Sequence, residues 1–195
     1  IYAAGAVQPG DEDDYFQSSL FTIARRRILW LLILVLANGL TTKVIAMNDQ
    51  ILKEIVLLAA FIPLLIGTGG NVGAQSSTVV IRGLSTQKLK SLGAVKAVVK
   101  EAITGALLGV LMMLVVFPFA WWQGEGPLIA SAVGISLISI TTLAATTGAI
   151  LPLLFDKMRL DPALMSSPFI TTVTDIAGVF IYLNTAKWLL SSSLT

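Results

Sequence analysis

The chain has 195 residues, of which 55% are hydrophobic and only 12% are charged, with a mean hydropathy of +0.86 and a net charge of +2. A soluble domain carries about 25% charged residues, so this composition leaves too little polar surface for a water-exposed globule and indicates a membrane domain. Cysteine and histidine are both absent, which excludes disulfide and thiolate chemistry and removes the commonest zinc and copper ligand.

Residues 1–24 are the one stretch that resembles a polar linker. They contain Pro9-Gly10 and an acidic run over residues 11–14, and residues 15–24 fit a short amphipathic helix lying on the membrane. The chain begins at Ile1 with no signal-peptide pattern, so we expect a fragment of a longer protein. We predict a polar segment over residues 1–24 and a membrane domain over residues 25–195.

Five apolar stretches follow, and charged residues mark their ends. Each is long enough to cross a hydrocarbon core of roughly 30 Å, which takes about 20 helical residues. The predicted fold class is therefore an all-α membrane protein with five transmembrane helices per chain. Their predicted bounds are 28–47, 55–81, 102–122, 127–155 and 163–190.

The basic residues predict the orientation of these helices. Of the 13 lysines and arginines, only Lys43, Lys53 and Lys187 fall on one side of the predicted membrane. Cytoplasmic loops carry the excess of basic residues, so we expect the N-terminus inside and the C-terminus outside. The chain is predicted to be a multi-pass protein of the cell inner (plasma) membrane. The other side collects Arg25, Arg26, Arg27, Arg82, Lys88, Lys90, Lys96, Lys100, Lys157 and Arg159.

Asp175 is the acidic residue placed deepest in a predicted span, about midway between Asp161 and Lys187. An ionised carboxylate near the bilayer centre costs roughly 2.5–3.5 kcal/mol on insertion scales. We therefore expect Asp175 to face water, a cation or a partner. The alternative is a protonated carboxyl group that forms a hydrogen bond with another helix.

Helical spacing predicts oxygen-bearing neighbours for Asp175. Thr171, Thr172 and Pro168 precede it by four, three and seven residues and so share its helix face. Pro168 also leaves a backbone carbonyl one turn earlier without its usual donor. Such hard oxygen ligands suit Mg²⁺, Ca²⁺ or Mn²⁺. For the threonines alone, ordinary hydrogen bonding between helices is the preferred interpretation.

A glycine-rich stretch lies at the same predicted depth in the second span. Its glycines include Gly69 and Gly70, and each weakens a helix by roughly 1 kcal/mol relative to alanine. Close helix packing would explain the glycines. The carboxamides of Asn71 and Gln75 beside this weakened helix favour the wall of a pore or binding site.

Glu101 and Asp161 lie at the predicted cytoplasmic edge of the membrane, where they would concentrate cations or pair with Lys100 and Arg159.

Other classes of function find little support. No nucleophile–base pair, zinc motif or phosphate loop is present, so we do not expect an enzyme. The basic loops are explained by topology, so nucleic-acid binding is not expected either.

Two segments resemble the MgtE family of magnesium channels and transporters. The sequence PLLIGTGGNVGAQSSTVVIRGL, at residues 63–84, resembles that family's second transmembrane helix. The sequence DPALMSSPFITTVTDIAGVFIY, at residues 161–182, resembles its last helix. The similarity extends over all five predicted spans, from about residue 20 to about residue 190.

The resemblance implies a homodimer with a cation pore at the two-fold axis, lined by the second and fifth helices. Asp175 and the main-chain oxygen of Thr171 would then hold a hydrated Mg²⁺, and Asn71 would face the pore. Glu101 and Asp161 would lie near the cytoplasmic mouth. Residues 1–24 would be a cytoplasmic linker and connecting (plug) helix. The cytoplasmic N-terminal domain and paired CBS domains of full-length members are not found in this sequence.

The function expected from this resemblance is passive, potential-driven Mg²⁺ transport through a dimeric, channel-like pore. One alternative is an ion-coupled secondary transporter in which Asp175 binds H⁺ or Na⁺. Another is a less selective transporter that carries Mn²⁺, Co²⁺ or Ca²⁺. A structural membrane anchor, whose polar residues only hold helices together, is the remaining possibility.

Overall fold

The computed structural model describes residues 19–86, 89 and 93–191, and every regular element in these ranges is helical. Most of the predicted polar segment over residues 1–24 lies outside the described residues, as do Lys88 and Lys90. Within the described residues the bounded α-helices are α1 Leu20–Ala46, α2 Asp49–Glu54, α3 Val56–Ser85, α4 Ala94–Ala120, α5 Pro127–Lys157 and α6 Pro162–Ser191. A π-helical turn, Trp121–Glu125, extends α4.

In the part of the chain that the structure describes, four helices have the length and apolarity to cross a membrane. They correspond to α3, to α4 with part of the π-turn, to α5, and to the part of α6 over Pro168–Leu190. The described apolar part of α1, Leu31–Ala46, is shorter. The all-helical membrane architecture is thus confirmed for four spans, and the fifth stays a prediction.

The third span begins well before its predicted start. Helix α4 begins at Ala94 rather than at residue 102, so Lys96, Lys100 and Glu101 lie within its first turns. The prediction treated these charges as the end of the helix. A charged side chain marks the level of the membrane interface, where its polar end reaches water, and it does not stop the backbone from being helical.

Helix α5 is the centre of the bundle. It packs against α3, α4 and α6, and 61% of its apolar stretch is buried. By contrast, α1 packs chiefly on α6, and α3 barely contacts α4. The largest hydrophobic core lies among α3, α5 and α6 and includes Leu58, Phe61, Leu65, Ile129, Val133, Leu137, Ile140, Val179, Tyr182 and Leu183.

The ends of the helices follow from local sequence. Gly93 and Gly126 have φ angles of 86° and 85°, in the region that glycine enters without strain, and each immediately precedes a helix. Pro127 then occupies the first turn of α5, where its missing N–H is not needed. After the last residue of α5, Arg159 also has a positive φ of 60°, in the short connection to α6. We call this end, where α3 and α5 finish and α4 and α6 begin, the basic end of the bundle.

Helix α3 runs without interruption through Pro63 and the glycine-rich stretch. The low helix propensity of these glycines predicted a weakened helix here. Packing compensates, because Gly69 and Gly73 are buried against α5 and α6. A side chain at either position would separate the helices, so the glycines allow contact that an alanine-rich helix could not make.

Candidate cation site

Asp175 lies in the middle part of α6 and is half-buried. Pro168, Thr171 and Thr172 are half-buried with it, as expected for neighbours on one helix face. The Thr171 hydroxyl donates a hydrogen bond to the Pro168 carbonyl oxygen at 3.0 Å. The Pro168 carbonyl oxygen therefore has a side-chain partner within its own helix.

Thr174, the residue before Asp175, has the opposite environment and is fully buried. Its hydroxyl donates to the Ile170 carbonyl oxygen at 2.7 Å, which satisfies it inside its own helix. The methyl group of Thr174 is thereby directed at α3. Thr174 thus fixes the rotation of α6 and, with it, the direction in which the next residue, Asp175, leaves the helix.

The glycine-rich stretch of α3 meets α6 at this level. A Cβ atom built on Gly69 would lie 2.5 Å from Thr174 Cγ2 and 2.7 Å from Ile140 Cγ2. A Cβ on Gly70 would lie 3.9 Å from Thr171 Cγ2. Gly69 therefore sits inside the helix interface of one chain, while Gly70 lies at its edge beside the turn that carries Asp175.

Asn71 and Gln75 point away from the bundle. Both are exposed, and so are Gly67, Ala74 and Thr78, which are spaced as one face of α3. This polar face adjoins the edge where Gly70 meets Thr171. Thr78 was not singled out from the sequence, although its position seven residues after Asn71 is the signal that could have found it.

The donors gathered here are oxygen atoms. Within the described residues, no three acidic, histidine or cysteine side chains form a group that could hold a metal ion. One chain therefore offers a single carboxylate with carboxamide, hydroxyl and backbone oxygens beside it. Such a sparse set fits a cation that keeps most of its water, since Mg²⁺ dehydrates reluctantly and is usually bound by one or two carboxylates.

Glu101 and Asp161 lie away from this level, at the basic end. Glu101 is half-buried in α4 and lines a cavity of about 160 Å³ together with Val79 and Val80 of α3. Asp161 is exposed and directly precedes Pro162, the first residue of α6. The two acidic residues are thus near separate helix starts at one end of the bundle, and Asp175 is about four helical turns further along the chain than Asp161.

Comparison with known proteins shows the family to which this sequence is similar. A family model described as "MgtE: Divalent cation transporter" matches residues 62–185, which include the polar face of α3 and Asp175. The "Magnesium transporter MgtE" of Thermus thermophilus is 35% identical over 192 residues, or 98% of this chain and 42% of that protein. The protein of the same name from Bacillus subtilis is 34% identical over 176 residues, or 90% of this chain and 39% of that protein.

A third relative of that name, from Enterococcus faecalis, is 35% identical over 168 residues, covering 84% of this chain and 36% of the relative. The chain thus spans about two fifths of the length of the curated relatives it matches. With its four membrane-length helices it is a multi-pass protein of the plasma membrane. On the extent of these matches, the chain belongs to the MgtE family of divalent cation transporters.

Proposed function

We propose that two copies of this chain form a channel-like pore that carries Mg²⁺ across the membrane, with Asp175 binding the hydrated ion near its centre. Residues 25–195 are the five-helix pore domain in this proposal, and residues 1–24 are the cytoplasmic linker and connecting helix. The N-terminus is cytoplasmic and the C-terminus is outside. The magnesium transporters to which the chain is similar support the choice of ion.

The exposed polar face of α3 is the observation that carries the proposal. Asn71 and Gln75 are exposed on a helix of membrane length, next to the turn of α6 that bears Asp175. Hydrocarbon does not accept uncompensated amide and carboxylate groups, so such a surface requires water or a protein partner. A second copy related by a two-fold axis would supply both, because it encloses two polar faces around a wet passage.

The chemistry of Mg²⁺ fits a shared site of this kind. Two Asp175 carboxylates across the axis supply two negative charges, which balance one divalent cation. The carboxylates accept hydrogen bonds from the water molecules that Mg²⁺ retains, and the Thr171 backbone oxygen and Asn71 amide oxygen add further acceptors. Binding through water keeps the ion mobile, because it leaves without rebuilding its hydration shell.

The membrane potential supplies the driving force for entry. Moving one elementary charge across 100 mV is worth about 2.3 kcal/mol, so a divalent ion gains roughly twice that. No second ion is needed to drive uptake. The cytoplasmic N-terminal and CBS domains that the family resemblance implies would act as regulators outside this chain, in the remaining length of its relatives.

Mg²⁺ entry into proteoliposomes tests the function directly. We expect uptake, followed with an internal Mg²⁺-sensitive dye, to rise with an inside-negative potassium diffusion potential and to persist when proton and sodium gradients are collapsed. Uptake that stops when either gradient is removed at fixed potential would support the ion-coupled alternative instead. Competition by Mn²⁺, Co²⁺ and Ca²⁺ in the same assay measures selectivity.

Single-cysteine crosslinking tests the dimer axis, and the absence of native cysteine makes the labelling unambiguous. We expect Asn71→Cys to give a covalent dimer with a short bis-maleimide, because the two copies of this α3 face are proposed to meet across the pore. The matched control is Val115→Cys, which is 70% exposed on α4. Equal dimer yields from the two variants, read on a denaturing gel, would contradict a pore lined by α3.

A further inference from the structure

A cleft between α3 and α4 opens at the basic end of the bundle. The two helices both pack against α5 but barely contact each other. The cavity of about 160 Å³ lies in this cleft and is lined by Val79, Val80, Gly83, Leu89, Ala97, Lys100 and Glu101. We call it the α3–α4 cleft.

The wall of the α3–α4 cleft is mainly apolar. Val80 and Ala97 are buried, whereas Val79 is 59% exposed at its mouth. Val99 and Ile103 are also exposed, on the outer side of α4. A chain of methylene groups lying against these side chains would remove apolar surface from contact with water and loosely packed lipid.

The polar rim of the cleft is positively charged. Lys100 lines the cavity, and Lys96 is exposed one turn earlier on the same side of α4. Arg82 is exposed near the end of α3. Within the described part of the chain, none of the three side chains is in an ion pair. Glu101 offsets one of these charges and leaves an excess of positive charge at the rim.

We propose that the α3–α4 cleft binds one anionic glycerophospholipid, with its phosphate between Lys96 and Lys100 and one acyl chain against Val79, Val80 and Ala97. Basic pockets between transmembrane helices suit this class of ligand, because the head group and the chains are recognised by adjacent parts of one site. A free phosphate would use the lysines but not the apolar wall. A divalent cation would use Glu101 but would be repelled by the lysines.

The site lies at the basic end rather than at the level of Asp175, and lipid binding there does not depend on Mg²⁺ transport. Val79 follows Gln75 by one helical turn on α3, so a bound lipid would lie against the same helix that presents the polar face. It would fill the gap where α3 lacks support from α4. The lipid is therefore expected to stabilise the folded chain as any ligand of the native state does.

Native mass spectrometry of the detergent-solubilised protein tests this proposal, with phosphatidylglycerol and phosphatidylcholine of matched chains as probes. We expect the wild-type chain to retain phosphatidylglycerol in preference to phosphatidylcholine. The Lys96→Gln/Lys100→Gln double variant should bind phosphatidylglycerol more weakly by about fivefold for each charge removed. The matched control is Lys43→Gln/Lys187→Gln, which removes two exposed lysines from the opposite end and should bind as the wild type does.

Thermal unfolding gives a second measurement that does not depend on survival in the gas phase. Phosphatidylglycerol should raise the Tm of the wild type and of the control more than that of the Lys96→Gln/Lys100→Gln variant, with the lipid-free Tm values compared first. Equal stabilisation of all three chains would overturn the proposal. An equal rise in Tm with glycerol 3-phosphate, which has no acyl chains, would also overturn it. The same holds if the lipid leaves Tm unchanged and Mg²⁺ raises it in the wild type but not in Glu101→Gln.

Discussion

Mg²⁺ uptake is expected to fall by about 100-fold or more when Asp175 is replaced by asparagine. The substitution keeps the size of the side chain but removes the charge from both protomers of the proposed dimer. Hydrogen bonds to a charged group contribute about 1.5–3 kcal/mol each, so losing one from each chain weakens ion binding by at least this factor. Proteoliposome flux under an inside-negative potential is the measurement.

The matched control for this variant is Asp156→Asn. Asp156 is exposed near the end of α5, so the change removes one negative charge from each chain without touching the middle of the bundle. We expect this control to transport within a few-fold of the wild type. If the two variants transport equally well, Asp175 does not bind the transported ion. If neither the variants nor the wild type transports Mg²⁺ while the Asn71→Cys crosslink stays intact, the membrane-anchor alternative holds.

The second large effect is expected at Gly148, where Gly148→Val should prevent stable packing of α5 against α3. A Cβ atom at this position would overlap the Gly73 carbonyl oxygen and lie 3.1 Å from both the Gly73 carbonyl carbon and Ser76 Cβ. Backbone atoms cannot rotate away as a side chain can. Overpacking costs about 1–3 kcal/mol and more where the backbone must shift, which corresponds to a Tm lower by on the order of 5–10 °C.

Gly67→Ala is the control for this prediction. Gly67 also lies within a membrane-length helix, but a Cβ atom built there meets nothing within 4 Å. Its replacement should leave Tm unchanged or raise it, because alanine favours the helix by about 1 kcal/mol. Thermal unfolding in detergent measures the Tm of both variants. A Tm for Gly148→Val equal to or above that of Gly67→Ala would contradict the packing explanation.

The membrane fold could be predicted from the sequence because apolar length and charge position are local properties. The spans over residues 127–155 and 163–190 closely match α5 and α6. The start of α4 and the short helix α2 were not anticipated. Both lie where charged residues are mixed with apolar ones, and there the hydropathy of the sequence no longer distinguishes the end of a helix from the edge of a membrane.

The residues of the candidate site could be singled out from the sequence, but the way in which the helices bring them together could not. Asp175 and Asn71 stand out because polar groups are costly in apolar spans. The contact of Gly69 with Thr174 and Ile140 was not predictable, since it depends on how far three helices approach one another. Spacing along one helix assigns residues to a face, but only packing against α5 decides which face turns inward.

The peripheral position of α1 has a mechanical consequence. Helix α1 follows residues 1–18 and packs chiefly on α6, the helix that carries Asp175. A pull or a tilt applied to the start of α1 would therefore reach α6 across one helix contact, without first displacing the tightly packed α4–α5 pair. Asp175 thus belongs to the helix that connects the peripheral α1 to the tightly packed core of the bundle.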